Sequence, residues 1–395
     1  MTRSLRRARI HVDAAVEFLR DETVGGVALL AATAAALIWA NAGDSYLSFW
    51  HTDLTLGVGS LSITEDLQHW VNDGLMVLFF FVVALEVKRE FVTGELRDRK
   101  AATLPVLAAL GGAILPAVIF VLLTLGSPGA SGWAIPTATD IAFAVGLLAL
   151  LGDRIPSGVK LLLLTIAVVD DVLAIAIIAI FYSSGISLAW LATVAAGLLG
   201  IVALRRLGAQ RVILYIPLGI LVWVAMLQSG VHATIAGVAV GLLMPAHPVG
   251  GRQVLEEVEE RLHPISSLLV VPLFALANAG IVLSGSTISA AAESRIAWAI
   301  AIGLVVGKLL GIAGTALLVD RLRIGKLPDG VRTHHVWGIA ALGGIGFTVS
   351  LFIAQLAYTD PDTIYTAKFG IFAGSIVAAV IGLAILLIAP RRANR

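Results

Sequence analysis

The sequence predicts an all-α polytopic membrane protein with twelve transmembrane helices, and three observations predict it. Of 395 residues, 58% are apolar and only 13% are charged, more apolar surface than a water-soluble core can hide. The apolar residues gather into twelve runs near the ~20 residues that a helix needs to cross a bilayer. Lys and Arg fall between those runs on alternate loops, as the positive bias of cytoplasmic loops requires.

The runs lie at 25–42, 70–87, 103–125, 132–151, 161–181, 187–203, 212–227, 231–245, 264–283, 297–318, 334–357 and 367–389. One face collects Arg3, Arg6, Arg7, Arg9 and Arg20; Lys88, Arg89, Arg97, Arg99 and Lys100; Arg154 and Lys160; Arg205, Arg206 and Arg211; Arg252 and Arg261; Arg321, Arg323, Lys326 and Arg332; and Arg391, Arg392 and Arg395, which is 24 of 27. The opposite loops hold only Arg295 and Lys368, and Lys308 is read as the one base inside a span. A missed or invented span would scramble every later loop, so both termini are expected in the cytoplasm. The chain reads as one multi-pass domain, 1–395, with a cytoplasmic N-terminal segment at 1–24 and a cytoplasmic tail at 390–395. Arg6-Arg7 is read as an anchor and not as an export signal, because no small-residue cleavage site follows. The chain has no cysteine, which excludes disulfides and thiolate metal sites. A net charge of +1 says nothing by itself about partners; no nucleic-acid or nucleotide partner and no cofactor is expected.

Within the external loop 43–69, LTLGVGSLSIT (54–64) alternates apolar and polar residues around a Gly-rich turn, the signature of a hairpin. It is either a pairing surface for a second subunit or an ordinary loop. His247 to His263, with VLEEVEER inside, reads as a short cytoplasmic helix or, by preference, a solvated connector.

Two spans are interrupted. Pro136 sits in AIPTATDIAFA in span four, and GIAALGGIGFTVSLF in span eleven carries four glycines. Each is the middle member of a group of three, spans 3-4-5 and 10-11-12, and the groups start from opposite sides of the membrane. That is an inverted-topology repeat, and broken helices at matching positions of such repeats point to a mid-membrane binding site of a secondary transporter.

Span five reads LLLLTIAVVDDVLAIAIIAIF, with Asp170 and Asp171 at its centre. A charge there costs roughly 2.5–3.5 kcal/mol on insertion scales, so it faces water or a partner. Adjacent residues stand about 100° apart on a helix, so the two acids can border one cavity and still point at different neighbours. Burial and mutual repulsion oppose both being ionised at once. Hard cations such as Na+ prefer oxygen ligands, which these carboxylates, Asp140, Thr139 and carbonyls freed at the breaks can supply. Protons and the cation then compete for the same oxygens, and a site open alternately to each side exchanges one for the other.

Bland readings stand beside these. Either acid of the pair could be the structural partner of Lys308, in AIGLVVGKLLGI. Asp140 is either a ligand or a counter-charge for a half-helix end, with Lys308 playing the converse role. Glu86, in ALEVKRE, is either a pH-responsive group or a surface partner of Lys88 or Arg89. His232, in SGVHATIAG, is a packed helix-end residue or a titrating one, and Asp73 is interfacial.

PTATDIAFA (136–144), VVDDVLAI (168–175), WVNDGLMVLFF (70–80), ALEVKREF (84–91), LHPISSLLVVPLFALANAG (262–280), VGKLLGI (306–312) and GGIGFTVSLFIA (343–354) together resemble the NhaA-type bacterial Na+/H+ antiporters over nearly the whole chain. The resemblance implies crossed broken helices four and eleven in the bacterial inner membrane. It implies exchange of cytoplasmic Na+ or Li+ for external protons, commonly two per cation and activated at alkaline pH. Asp171 would be the principal ion carboxylate and Asp170 the partner released from Lys308. Asp140 and Thr139 would flank the site, with Asp140 and Lys308 balancing the half-helix ends. Glu86, Arg89, Glu90, His232 and Glu257 would serve the pH response, Glu257 being chosen by position among the four glutamates of EEVEER and its neighbours. The outer hairpin would join two protomers. One departure is Val172-Leu173, where the family often has Leu-Gly.

A sodium-coupled symporter of related architecture is the alternative, distinguished by dependence on an organic solute. An intramembrane aspartyl protease needs its acids on separate helices. A nucleotide-driven pump needs a phosphate loop, and GLVVGKL has the wrong spacing and lies inside a span.

Overall fold

The computed structural model describes residues 22–58, 61–183, 185–209, 211–246 and 253–388. The N-terminal segment up to residue 21, the tail 390–395 and the 247–252 part of the polar connector lie outside the described residues.

In order, α1 (Glu22–Ala40) and the short α2 (Ser45–Trp50) lead into an antiparallel hairpin, β1 (Asp53–Val58) and β2 (Leu61–Asp66), with Leu54 opposite Glu65 and Leu56 opposite Ile63. Then follow α3 (Leu67–Val92), α4 (Arg99–Thr124), a 3-10 stretch Pro128–Thr137, α5 (Ile141–Leu150), α6 (Ser157–Phe181), α7 (Leu188–Arg206), α8 (Val212–Ser229) and α9 (Thr234–Leu243). The chain closes with α10 (Val254–Asn278), the short α11 (Gly285–Glu293), α12 (Arg295–Arg321), α13 (Thr333–Leu342), α14 (Phe347–Ala357) and α15 (Pro361–Ile388). Among the described residues nine helical runs are long and apolar enough to cross a membrane, ten if α13 and α14, bent by 45°, are one span. Two shorter apolar helices, Val24–Ala40 and Thr234–Leu243, accompany them. The protein is a multi-pass, mostly helical membrane protein.

Asp66 starts α3 as its N-cap, accepting from the His69 backbone N–H at 2.7 Å, so the hairpin leads straight into a helix. A run of 26 residues at 1.5 Å each spans about 39 Å, which carries the C-terminal end of α3 to the face opposite the hairpin. Apolar association offers little drive between helices already in lipid, so close approach through small residues matters. A Cβ at Gly307 would lie 2.7 Å from the Pro116 Cα, and one at Gly303 2.7 Å from the Pro136 Cβ. These glycines let α12 lie on α4 and on the 3-10 stretch, and the next residue along α12 is Lys308.

Two boundaries differ from the sequence expectation. The connector before span nine is helix, continuous with the span: α10 begins at Val254, with Val254, Leu255 and Val258 packed and Glu256, Glu257 and Glu260 outside them. That spacing is amphipathic, and the density of charge hid it. Lys368 is not in a loop. Asp360 accepts from the Thr363 N–H (2.9 Å) and hydroxyl (2.6 Å), and Pro361 opens the helix, a start signal in its own right. Helix α15 therefore begins six residues before the apolar run and buries Lys368 at 4% exposure, with the Tyr365 ring 5.4 Å from its ammonium. Lys308 is thus one of two buried lysines among the described residues.

Candidate functional site

The two interrupted helices meet at their breaks and complete each other's hydrogen bonding. After Thr137 the chain runs extended to Asp140, and α5 starts at Ile141. On the other side α13 ends at Leu342, and α14 restarts at Phe347. The Thr139 hydroxyl donates to the Gly343 carbonyl at 2.7 Å, and the Asp140 N–H donates to the Ile345 carbonyl at 2.6 Å. In return the Ser350 hydroxyl donates to the Ile135 carbonyl at 2.7 Å. Backbone that no helix satisfies is tolerable at membrane depth only when buried in protein or lining a cavity, and here each break supplies what the other lacks.

Asp140 joins both restarted helices. One carboxylate oxygen accepts from the Phe143 N–H of α5 at 3.1 Å; the other accepts from the Thr348 N–H at 3.0 Å and the Thr348 hydroxyl at 2.5 Å, in the first turn of α14. One buried carboxylate thus caps two helix N-termini, each carrying partial positive charge.

The contiguous acids of α6 separate. Asp170 accepts from the Lys308 ammonium at 2.7 Å, with both side chains buried. Among the described residues that is the one hydrogen bond Lys308 makes. Asp171 instead lines a cavity of about 360 Å³, together with Thr139, Asp140 and Thr348, while Asp170 does not. Val172 and Leu173, the departure beside the acids, are half-buried and pack on the surrounding core.

The cavity opens toward the C-terminal end of α3, where Glu86, Arg89 and Glu90 line it with Glu259, Glu260 and His263 of α10. Arg89 donates to Glu259 and lies 3.7 Å from Glu90. His263 Nε2 lies 3.8 Å from Glu86. Lys88 turns away and donates to the Leu242 carbonyl at 2.6 Å and to the Met244 carbonyl, closing the C-terminus of α9.

Of the residues singled out in the sequence, Asp171, Asp140, Thr139, Glu86, Arg89 and Glu90 share this cavity, and Asp170 and Lys308 sit directly behind it. Two do not line it. Glu257 faces a groove between α3, α8 and α9 with Arg211 and Arg261, and His232 lies in the link between α8 and α9. Sequence reasoning missed Glu259 and Thr348. Glu259 follows Leu255 by four residues, one helical turn, so it is the acid on the packed side of α10 and is 5% exposed. Thr348 sits just past the glycine break, where a hydroxyl meets a helix start. Among the described residues no three His, Asp or Glu side chains converge on one metal position; a cation here would take oxygen from Asp171, threonine hydroxyls, backbone and water.

The family model described as Na+/H+ antiporter 1 matches residues 16–386 of this chain. The chain is similar to the Na(+)/H(+) antiporter NhaA 2 of Erythrobacter litoralis, 48% identical over 95% of this chain and 94% of that protein. It is likewise similar to Na(+)/H(+) antiporter NhaA of Mesorhizobium japonicum, 45% identical over 95% and 94% of the two chains. Against the protein of that name from Yersinia pseudotuberculosis it is 44% identical over 95% and 97%.

Proposed function

The chain belongs to the Na+/H+ antiporter family, and from that premise we propose that it expels cytoplasmic Na+ or Li+ in exchange for external protons, with Asp171 as the carboxylate that holds either. The observation that carries this reading is the division of the acid pair: Asp171 borders the cavity, while Asp170 is neutralised by Lys308. An ionised Asp171 attracts a cation entering past Glu86 and Glu259, and Thr139, Thr348 and water complete its oxygen shell. A proton arriving at Asp171 removes the charge and releases the ion. Because one carboxylate cannot serve both, loading either expels the other, and no nucleotide is needed.

The full cycle we propose moves two protons per cation, the second associated with the Asp170–Lys308 pair when it separates. One net charge then moves inward per turn, and the membrane potential contributes about 2.3 kcal/mol per 100 mV. Asp140 balances the two helix N-termini it caps. Glu86, Arg89 and Glu90 tune access with pH at the cavity mouth, whereas Glu257 and His232 would act on that response from a distance. The same reading assigns twelve spans in two inverted repeats, with the broken helices crossing, both termini cytoplasmic in the bacterial inner membrane, and the β1–β2 hairpin joining two protomers.

The test is purified protein in proteoliposomes with an internal pH dye, challenged with Na+, Li+ and K+. Na+ and Li+ should each collapse an imposed pH gradient without any organic solute, and Asp171→Asn should abolish this while the protein still inserts. Sodium binding without proton release at any pH would overturn the proposal.

A further inference from the structure

The cavity that holds Asp171 ends against three helices, and along each the same order of side chains recurs. On α3 the cavity-lining Val83 is followed toward the hairpin face by Phe80 and then Asn72; on α10 Val271 is followed by Phe274 and Asn278; on α14 Val349 is followed by Phe352 and Gln355. In every case the phenylalanine lies three positions from the valine on its hairpin side, which on α3 is toward the N-terminus, about 4.5 Å along the helix. Phe352 packs on Phe80 at 5.3 Å and on Phe274 at 6.1 Å between ring centroids, and all three are buried.

Beyond the rings lies a knot of side-chain amides. Asn278 is fully buried, and its oxygen accepts from Gln68 (3.1 Å), Asn72 (3.3 Å) and Gln355 (3.3 Å), while its amide donates to the Asn72 oxygen at 2.7 Å. Gln68, Asn72 and Gln355 are half-buried, so the knot grades from the sealed core toward the hairpin face. Burying amides is costly unless they are bonded, and apolar side chains would pack three helices without that penalty. Polar side chains at this depth, separated from the ion-binding acid only by an apolar constriction, are the arrangement of a pathway that closes by excluding water.

We propose that Phe80, Phe274 and Phe352 are the closed gate between Asp171 and the hairpin face, and that the Gln68–Asn72–Asn278–Gln355 cluster behind it is the station whose amide oxygens replace water around a passing Na+ when the rings part. The direction of travel rests on the exchange reading above; the gate itself does not. With the rings together, Asp171 communicates only with the cavity. When α3 moves against α10 and α14, the rings separate and the same carboxylate faces the amides.

The absence of native cysteine makes the test direct. Val349→Cys and Gln355→Cys are reconstituted in one orientation and exposed, without gradients, to a membrane-impermeant thiol reagent on one side or the other. Val349→Cys should react predominantly from the cavity side, and Gln355→Cys predominantly from the hairpin side. Adding Phe352→Ala should let Val349→Cys react from the hairpin side at least about tenfold faster, with Na+ then crossing uncoupled from protons, whereas Phe352→Leu should keep the barrier shut. The gate is overturned if Gln355→Cys reacts predominantly from the cavity side, or if Phe352→Ala leaves the hairpin-side reaction rate of Val349→Cys unchanged. For the station, Gln355→Met should slow Na+ exchange while Na+-triggered proton release at Asp171 persists; unchanged exchange kinetics overturn it. Labelling needs no transport, so a protein that gave this pattern yet exchanged no ions would refute antiport and leave the gate standing.

Discussion

Removing the ammonium of Lys308 tests whether Lys308 and Asp170 are held by each other or by the fold around them. At 2.7 Å two unit charges attract by about 6 kcal/mol at an effective dielectric of 20. Desolvation of each ion takes back several kcal/mol, so the intact pair is close to neutral for stability, whereas deleting one partner strands a buried charge at a cost of about 3–5 kcal/mol. Lys308→Met should therefore lower the unfolding temperature in detergent by roughly 6–10 °C, taking about 2 °C per kcal/mol for a large domain. Asp170→Asn should do less, because a stranded ammonium on a long stem can reach toward the cavity water. The double variant should recover most of the loss, since neither charge remains. The assay is a thermal melt of the four proteins at one pH, read as a double-mutant cycle. Additive losses, with the double variant worst, would refute mutual neutralisation and make Lys308 a partner of something else.

Thr348→Val removes a hydroxyl that bonds the buried Asp140 carboxylate at 2.5 Å; a hydrogen bond to a charged group is worth about 1.5–3 kcal/mol. The melt should fall accordingly, and an unchanged melt would mean the hydroxyl has another use. Glu259→Gln should shift the pH profile of dye-reported exchange more than Glu257→Gln does, because Glu259 holds Arg89 at the cavity mouth; the reverse ranking would return the pH response to the outer side of α10. At the hairpin root, partial burial raises the Asp66 carboxyl, but hydrogen bonds from His51 and from the His69 backbone and ring outweigh it and hold the group below the usual carboxylate range. A depressed carboxylate stabilises above its unfolded value, about pH 3.9, and loses that stabilisation as pH falls through the folded value. Hydrogen exchange of the β1 and β2 amides should accordingly be faster in Asp66→Asn than in the native protein at neutral pH, and the difference should close in acid. A pH-independent difference would rule out the charge as its source.

Legibility in the sequence followed the physics of each feature. Helices in lipid announce themselves because apolar length and basic loops are local properties, and both breaks could be placed because Pro136 and Gly343–Gly346 disrupt a helix by their own chemistry. What stayed hidden depends on partners distant in the chain. That Asp140 reaches Thr348 across 208 positions has no trace in spacing. The start of α15 is written in Asp360 and Pro361, six residues ahead of the apolar run, and apolar length alone therefore leaves Lys368 at the boundary. Among the glutamates of 256–260, the packed stripe Val254, Leu255 and Val258 places Glu259 on the buried side, a distinction that position along the chain alone does not carry. Asn278 and its amide partners left no pattern at all, since amides carry no charge and break no helix.

The adjacency of Asp170 and Asp171 now has a mechanical reason. Two acids four residues apart would share one helix face and so one environment, and a lysine that neutralised either would lie against both. Neighbouring positions stand about 100° apart, enough to send Asp170 to the Lys308 ammonium and Asp171 to the cavity while both stay on one rigid helix. Any movement that rotates α6 against α12 must therefore alter the lysine contact and the cavity contact together. The state of the buried pair and the state of the cavity carboxylate are linked by a single peptide unit, which neither acid alone, nor the same two on separate helices, could provide.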